Sequence, residues 1–491
     1  MSGNSSVDVT FDIENPRMLI GGELVESASG RRYDCVNPAD ETLLAQVPEG
    51  SAEDVAAAVG AAQDAQPAWA AAGVAARAET IRRFAYAILE HGERLLQVEV
   101  KDSGNIISEM RRDVASSARQ LNYYAALGYE MKGSTIPATP GNLHFTEREP
   151  YGVVGRIVPF NHPLMFAAAK LGAPLITGNT VVLKPSEQSP LSACYLGELA
   201  REIFPPGVVN VVTGFGKEAG EALVRHPEVK RLAFIGSVAT GLHIQRSAAE
   251  VAVKQITLEL GGKNPLIVFP DADMKKAIPG AIKGMNFGWQ GQSCGSTSRL
   301  FLHDDIHDEF LAAMVERLSA MKIGDPLDEM SQIGPMISAA QIEKVRSFVG
   351  RAQEEGARLV TGGAPPPGFD SGYWWSPTIF ADVTPDMYLA RNEVFGPVLS
   401  VFRWRDIDEV IEIANGLEFG LSGSVWTRDL DTAITTARRI RSGYIWINGA
   451  GPHYPAVPFG GMKNSGLGRE EAFDDMMSYT EEKAYSIVLQ S

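Results

Sequence analysis

The sequence predicts an α/β protein built on doubly wound parallel sheets, divided into two or three domains. From Tyr151 onward, short apolar runs alternate with helical segments. Nearly continuous apolar strands, each followed by a helix, mean a parallel sheet covered on both faces. The length of 491 residues exceeds what one simple core fills. Hydrophobic residues at 45% and charged residues at 21% fit a folded globular chain and exclude a disordered one.

Residues 17–48 read as short strands and turns: Arg17 to Ile20, the turn Gly21-Gly22, then Leu43 to Val47. Ser51 is a good N-cap, and Ala-rich helices follow from Glu53 to Ala72 and from Ala75 to Ser103, with Pro67 breaking or bending the first. A third helix covers Ser108 to Met131. Gly133 to Pro150, with its prolines, glycines and an alternating stretch around His144-Phe145-Thr146, reads as a projecting hairpin. Beyond it the predicted strands are Val153 to Val158, Thr180 to Lys184, Val208 to Val212, Leu232 to Ile235 and Pro265 to Phe269. Helices fit between them over Leu164 to Ile176, Leu191 to Ile203, Lys217 to His226 and Thr240 to Ala249, and another over Asp273 to Asn286. At the far end Tyr485, Ile487 and Leu489 alternate with Ala484, Ser486 and Val488, a strand pattern that needs a partner sheet.

Net charge is −16, with no basic patch, so neither nucleic acid nor an anionic membrane is an expected partner. Three distant cysteines, Cys35, Cys194 and Cys294, make neither a disulfide framework nor a zinc site, and no metal is expected. They suit a reducing cytoplasm. Met1 to Pro16 is polar and lacks the basic start and apolar core of a signal peptide. No apolar run reaches the ~20 residues of a membrane span.

In a parallel sheet, ligands bind beyond the carboxyl ends of the strands. Four motifs fall there. In Pro159-Phe160-Asn161-His162-Pro163, Asn161 is either a turn former or a rigid amide donor to a developing oxyanion. In Lys184-Pro185-Ser186-Glu187, Lys184 and Glu187 are either an exposed ion pair or two ligands for an adenosine ribose. Gly214-Phe215-Gly216 and Phe234-Ile235-Gly236-Ser237 each lead into a helix, where backbone N–H groups and the helix dipole suit a pyrophosphate. Neither is the G-x-G-x-x-G fingerprint, so the nucleotide reading rests on all four sharing one rim.

Glu259, inside the apolar run Ile256 to Leu260, is costly to bury unless paired. It points outward on an edge strand, or it sits at a strand end facing a cleft, where desolvation raises its pKa and suits it to be a general base. Gly291-Gln292-Ser293-Cys294-Gly295-Ser296 surrounds one thiol with small residues. Cys294 is either a small inert core residue or a nucleophile whose pKa neighbouring backbone N–H groups lower.

These pieces together resemble the aldehyde dehydrogenase superfamily. The matching features are the Asn between prolines, Lys-Pro-Ser-Glu, Phe-Ile-Gly-Ser, Glu-Leu-Gly-Gly-Lys, Gly-Gln-Ser-Cys, Glu393-Val394-Phe395-Gly396-Pro397 and Pro458-Phe459-Gly460-Gly461-Met462-Lys463-Asn464-Ser465-Gly466. Their order and spacing hold from about residue 17 to 489, nearly the whole chain. Phe160 stands where the family commonly has Trp, and Ile235 where it commonly has Thr.

The resemblance implies a fold of two doubly wound domains and a β oligomerisation arm. Residues 1–127 and 150–261 would form a Rossmann-like NAD-binding domain, 262–477 a catalytic domain, and 128–149 with 478–491 the arm of a homodimer or homotetramer. Cys294 is implied as nucleophile, Asn161 as oxyanion donor and Glu259 as base. Lys184 and Glu187 would hold the adenine ribose, Ser237 the pyrophosphate, and Glu393 with Phe395 the nicotinamide end. Val158, Pro159, Phe160, Ser186, Gly216, Phe234, Gly236 and Leu260 would complete the cofactor groove. His162, Met165, Phe166, Ala169, Phe287, Trp289, Ser293, Gly295, His453, Tyr454 and Phe459 would line the aldehyde tunnel. Ala169 is small where relatives that take quaternary ammonium aldehydes have Trp.

The implied reaction oxidises an aldehyde to a carboxylic acid through a thiohemiacetal and a thioester on Cys294, with NAD as acceptor and NADP as the alternative. A carboxylate at Glu187 would repel a 2′-phosphate, which favours NAD. Two other classes compete: a relative that passes the acyl group to coenzyme A, which typically lacks the base Glu, and a catalytically silent binding protein on the same fold. The many aromatics favour an aromatic or medium-length apolar aldehyde, with His453 or Tyr454 meeting a polar tail.

Overall fold

The computed structural model describes residue 7 and residues 9–489. Residues 1–6, residue 8 and residues 490–491, parts of the polar N-terminal stretch and of the C-terminal segment, lie outside the described residues.

Five parallel strands dominate an eight-stranded sheet: Val153–Ile157, Thr180–Lys184, Val209–Val211, Val229–Ile235 and Gln255–Glu259. All five are buried on both faces, apart from Ile157, Lys230 and the first two residues of Gln255–Glu259; Arg156, Asn210 and Arg231, polar residues within them, are nonetheless buried. The chain places Thr180–Lys184 and then Val209–Val211 on one side of Val153–Ile157, and Val229–Ile235 and then Gln255–Glu259 on the other. The order therefore reverses between Val153–Ile157 and Val229–Ile235, which opens a crevice at their carboxyl ends. Met18–Ile20 and Glu23–Val25 add antiparallel strands at one edge, and Gly466–Leu467 adds one at the other, although it falls within 262–477.

A second sheet of seven strands runs in the order Arg358–Thr361, Thr378–Ala381, Val398–Trp404, Arg299–His303, Pro265–Val268, Ser422–Trp426, Tyr444–Ile447, parallel except for the first. Only Leu260 to Asn264 separate the first sheet's Gln255–Glu259 from the second sheet's Pro265–Val268. The carboxyl rim of one sheet therefore faces the amino rim of the other.

Several predicted elements differ, each for a physical reason. The helix Ala52–Ala71 runs through Pro67 unbroken, and beyond the proline it is held by Trp69, whose Nε1 donates to Leu175 O at 3.1 Å. The predicted helix from Ala75 to Ser103 is two helices, Gly73–Glu90 and Gly92–Ser103. It divides at His91, whose ring bonds Tyr195 Oη at 2.9 Å and Val7 O at 2.7 Å. The predicted helix Leu164 to Ile176 splits into Pro163–Ala169 and Gly172–Ile176, where Lys170 turns toward buried carboxylates. The Lys217 helix opens with a wide π turn, Gly216–Gly220, before Glu221–Arg225.

The predicted hairpin is mostly a single strand. Leu143–Pro150 pairs along its whole length with Thr480–Ile487, while its own first arm contributes only a bridge at Thr135 to Phe145. This two-stranded ribbon leaves Leu143, Ile487, Val488 and Leu489 exposed. Among the described residues no helix is long and apolar enough to cross a membrane.

Candidate active site

The two rims enclose a cavity of about 920 Å³ lined by Asn161, Glu259 and Cys294. His162, Met165, Phe166, Phe287, Trp289, Ser293, Gly295, His453, Tyr454 and Phe459 line the same cavity. Ala169 is not among the lining residues: it is fully buried in the helix Pro163–Ala169.

Glu259 ends its strand, with Gly460 so close that a Cβ there would lie 2.7 Å from the carboxylate. Of the two readings for this residue, the cleft-facing one matches the structure. Both carboxylate oxygens are buried without a hydrogen-bond partner among the described residues. Burial pushes the carboxyl well above its ordinary pKa, Glu470 adds to the rise, and Lys170 opposes it. Glu470 itself is buried, yet Arg156 at 2.6 Å and Lys170 at 2.9 Å hold its carboxyl below the usual range. For Glu471, burial is likewise overcome by His453 and Lys170, down to about 2.

Cys294 sits just before the strand Arg299–His303, on the amino rim of the second sheet. Backbone N–H groups of Gly295 and Cys294 do favour its thiolate, as the sequence reading expected. Burial outweighs them, and with the nearby Glu259 and Glu393 it pushes the thiol up to about 12. The net shift is thus opposite to the expected lowering, because local N–H donors are legible in a hexapeptide and burial is not.

Asn264 fastens the Cys294 loop. Its Nδ2 donates to Cys294 O at 2.7 Å and Ser296 O at 3.0 Å, while its Oδ1 accepts from Ser422 N at 3.0 Å. Asn161 is fastened through its main chain, where its carbonyl accepts from Asn105 Nδ2 at 3.0 Å. Its own Oδ1 is buried with no partner among the described residues, so the side-chain amide is not spent on the turn.

The nucleotide candidates lie outside this cavity, along the carboxyl rim of the first sheet. Lys184 Nζ donates to Pro185 O at 2.6 Å and stands 3.5 Å from Glu187 Oε2; an ion pair forms, but it is not the exposed pair of the first reading, because Lys184 is buried. Burial pushes Lys184 downward and Glu187 opposes this. Ser186 Oγ accepts from Gln188 N, and the buried Val158 donates its N–H to Lys184 O. Pro159 and Phe160 follow on the same loop, and the Phe160 carbonyl accepts from Ser189 Oγ at 3.2 Å. Gly216 is open, with nothing within 4 Å of where a Cβ would stand. Ser237 N-caps the helix Val238–Ala249 through Thr240 N at 3.2 Å, beyond Gly236, against which the Phe234 ring packs. Leu260 is buried against Gly241 of that helix.

Glu393 is half-buried with Oε1 accepting from Gly262 N at 2.9 Å, and Phe395, at a φ of +56°, meets Phe160 edge-on at 5.7 Å. Burial raises the Glu393 carboxyl against that N–H donor. A cation and carboxylate at a strand end, then a capped helix N-terminus, then a carboxylate beside two rings, is a donor set that fits a dinucleotide laid along the rim.

Sequence reasoning missed Asp113, Asn264 and the Lys170, Arg156, Glu470 and Glu471 network. Only Asn264 carried a local signal, since it follows directly on Glu-Leu-Gly-Gly-Lys. Among the described residues no cluster of metal-ligating side chains occurs.

The sequence profile of the aldehyde dehydrogenase family matches residues 24–485. The chain is similar to aldehyde dehydrogenase tropH of Talaromyces stipitatus, 45% identical over 93% of this chain and 90% of the relative. It is 41% identical to hydroxyisobutyraldehyde dehydrogenase of Mycolicibacterium austroafricanum, over 97% of this chain and 94% of that one. The fold matches the NAD+ complex of an aldehyde dehydrogenase from Bacillus cereus with a TM-score of 0.95 and 40% identity, covering 97% of both chains.

Proposed function

The chain belongs to the aldehyde dehydrogenase family, and from that premise we propose that it oxidises an aldehyde to the carboxylic acid by covalent catalysis on Cys294. The observation that carries this reading is one cavity holding a thiol, an unspent amide and an unpaired buried carboxylate. The Cys294 thiolate attacks the aldehyde carbon, and the Asn161 amide with the Cys294 backbone N–H donates to the resulting oxyanion. NAD, when bound, would supply the hydride acceptor. Collapse of the oxyanion that Asn161 and the Cys294 N–H hold would then release hydride from the former aldehyde carbon and leave a thioester on Cys294. Glu259 then takes a proton from water, and the hydroxide equivalent releases the acid. Lys184 and Glu187 would hold the ribose, the N-terminus at Ser237 the diphosphate, and Glu393 with Phe395 the nicotinamide end. Glu259 favours water over coenzyme A as acyl acceptor. Cofactor reduction that requires coenzyme A would overturn this, and no reduction with any aldehyde would favour the silent-protein reading.

Glu187 underlies a preference for NAD. With the ribose held by Lys184 and Glu187 as proposed, a 2′-phosphate would bring a second negative charge beside the Glu187 carboxylate, while a free 2′-hydroxyl could donate to it. The specificity constant with NAD is expected to exceed that with NADP about tenfold or more, of order 1.4 kcal/mol. Equal values would contradict the assignment.

The division into 1–127 with 150–261, 262–477, and the arm 128–149 with 478–491 is proposed as the functional one, in a cytoplasmic homodimer or homotetramer. Exposed apolar residues on the ribbon support the assembly. Tyr479 and Thr480 are buried, and Tyr479 packs its ring 4.5 Å from the Arg231 guanidinium, so a deletion should begin after Thr480. Removing 481–491 is expected to dissociate the oligomer, read by light scattering. An unchanged mass would rule out the arm as the assembly element.

A further inference from the structure

Glu471 is a buried carboxylate that the proposed reaction does not use. It lines the same cavity as Glu259, Lys170 and Glu470. Its Oε1 lies 3.5 Å from Lys170 Nζ, and its Oε2 lies 3.1 Å from His453 Nδ1. A carboxylate only accepts, so Nδ1 donates, in the neutral ring as in the charged one. Glu471 and Ala456 both have a φ of +70°, and the Ala456 N–H donates to Glu471 O at 3.2 Å. Neither is a glycine, so this left-handed backbone costs energy and persists only where the surroundings impose it. Arg156 pairs with Glu470 at 2.6 Å, and Lys170 divides its ammonium between Glu470 at 2.9 Å and Glu471. Asp475 is buried beside them, but burial and Glu470 push its carboxyl up to about 6, and Tyr124 donates to it. Arg469 donates to the carbonyls of Gly461 and Gly468. Two buried cations thus meet two carboxylates, and Glu259 is left without a hydrogen-bond partner among the described residues.

We propose that Glu471 is a positioning residue for the base: it engages the Lys170 ammonium that would otherwise be free to neutralise Glu259, and so decides when Glu259 can lose its proton. The inference rests on Glu259 being the general base, as proposed above. The charged groups facing Glu259 are Glu470, Lys170, Glu471 and Arg469, with the Cys294 thiol as a further titratable neighbour. Burial already disfavours the charged form of Glu259, Glu470 and Glu471 add to this, and Lys170 and Arg469 oppose it. Neutralising Glu471 removes one like charge and releases one cation, and both changes favour the ionised base. His453, itself on the cavity wall with its ring 4.1 Å from that of Phe459, holds the Glu471 carboxylate in place.

The test follows deacylation against pH in the parent, Glu471→Gln, Glu471→Asn and Glu471→Asp. Each enzyme is mixed with NAD and less than one equivalent of aldehyde, and loss of the acyl group from Cys294 is timed by quenched flow and mass spectrometry. That rate constant counts only molecules that have been acylated, so a misfolded fraction does not enter it. A base works above its own pKa, so a lowered Glu259 value extends deacylation to lower pH. In Glu471→Gln the acid limb should move down by about one pH unit, a tenfold faster deacylation at a given pH below the limb. Glu471→Asn should do the same, since asparagine is neutral and tolerates the left-handed backbone. Glu471→Asp matches it in size but keeps the charge, so its limb should stay near the parent's. A limb that stays in place or moves up in both neutral variants overturns the inference. So does an equal shift in Asn and Asp, because charge is then not the cause. A limb that survives in Glu259→Gln shows instead that Glu259 is not the base, and the function beneath fails.

Discussion

Replacing Cys294 with alanine lowers aldehyde-dependent NAD reduction by at least about 10⁴-fold and removes the single-turnover burst as well, the scale seen when a catalytic nucleophile is deleted. The expectation follows from the absence of any substitute: Cys35 and Cys194 are both buried, and Cys35 Sγ is bonded to Asp102 at 2.9 Å. Without the thiol no thiohemiacetal forms, so no hydride leaves the carbon. The fold should tolerate the change, because Asn264 holds this loop through the backbone carbonyls of residues 294 and 296 and not through the sulfur. The raised thiol adds a pH signature. With burial, Glu259 and Glu393 pushing it up to about 12, the thiolate fraction in the free enzyme grows tenfold per pH unit throughout the neutral range. Alkylation of Cys294 by iodoacetamide should rise with pH without levelling below about pH 9, and the Ala variant should lose that labelled peptide. A burst of normal size in the variant would remove Cys294 from the mechanism.

Glu259→Gln separates the second half of the reaction from the first. Glutamine keeps the size of the side chain at the strand end but accepts no proton. The thiohemiacetal needs only the thiolate and the oxyanion donors, so a burst of NAD reduction should survive. Steady turnover should fall by roughly 10²–10⁴, the usual contribution of a general base. The acylated Cys294 peptide should then accumulate and be seen by mass spectrometry. The sign of the pH dependence follows from the raised carboxyl: below its folded pKa Glu259 is protonated and useless as a base, so parent deacylation should fall as pH drops through that raised value. The variant should lack that limb. Above the raised Glu259 value the change also removes a negative neighbour from the thiol, so there the variant's Cys294 should alkylate faster than the parent's at the same pH. Turnover at the parent rate, with water as the acyl acceptor, would show that another group is the base.

The parallel strands were legible because burial on both faces leaves an unbroken apolar run, as in Thr180–Lys184, and Leu191–Ile203 was legible from its length and flanking prolines. Helix breaks at His91 and at Lys170 were not legible. Each is decided by distant partners, Tyr195 and Glu470, that a local window does not contain. The three residues proposed to react, Cys294, Asn161 and Glu259, stood out through spacing shared with a family, and the structure brings them to one cavity. The Asp113–His162 pair was not, since 49 residues separate its members and nothing local marks either one. Thiol and carboxyl shifts failed or succeeded on the same ground: small neighbours advertise backbone donors, whereas desolvation is a property of the assembled rims.

The cavity and the rim proposed for the dinucleotide are built from nearly separate stretches of chain. Helix Ile107–Leu127 and the loops around Trp289 and His453 belong to the first, and Lys184, Gly216 and Ser237 to the second. The two meet in the loop from Val158 to His162, at Ile235-Gly236 and at Glu259-Leu260. On the proposed function, inherited change can therefore retune which aldehyde is taken while leaving the electron acceptor untouched. Those three short segments are where a lineage altering one choice would be forced to renegotiate the other.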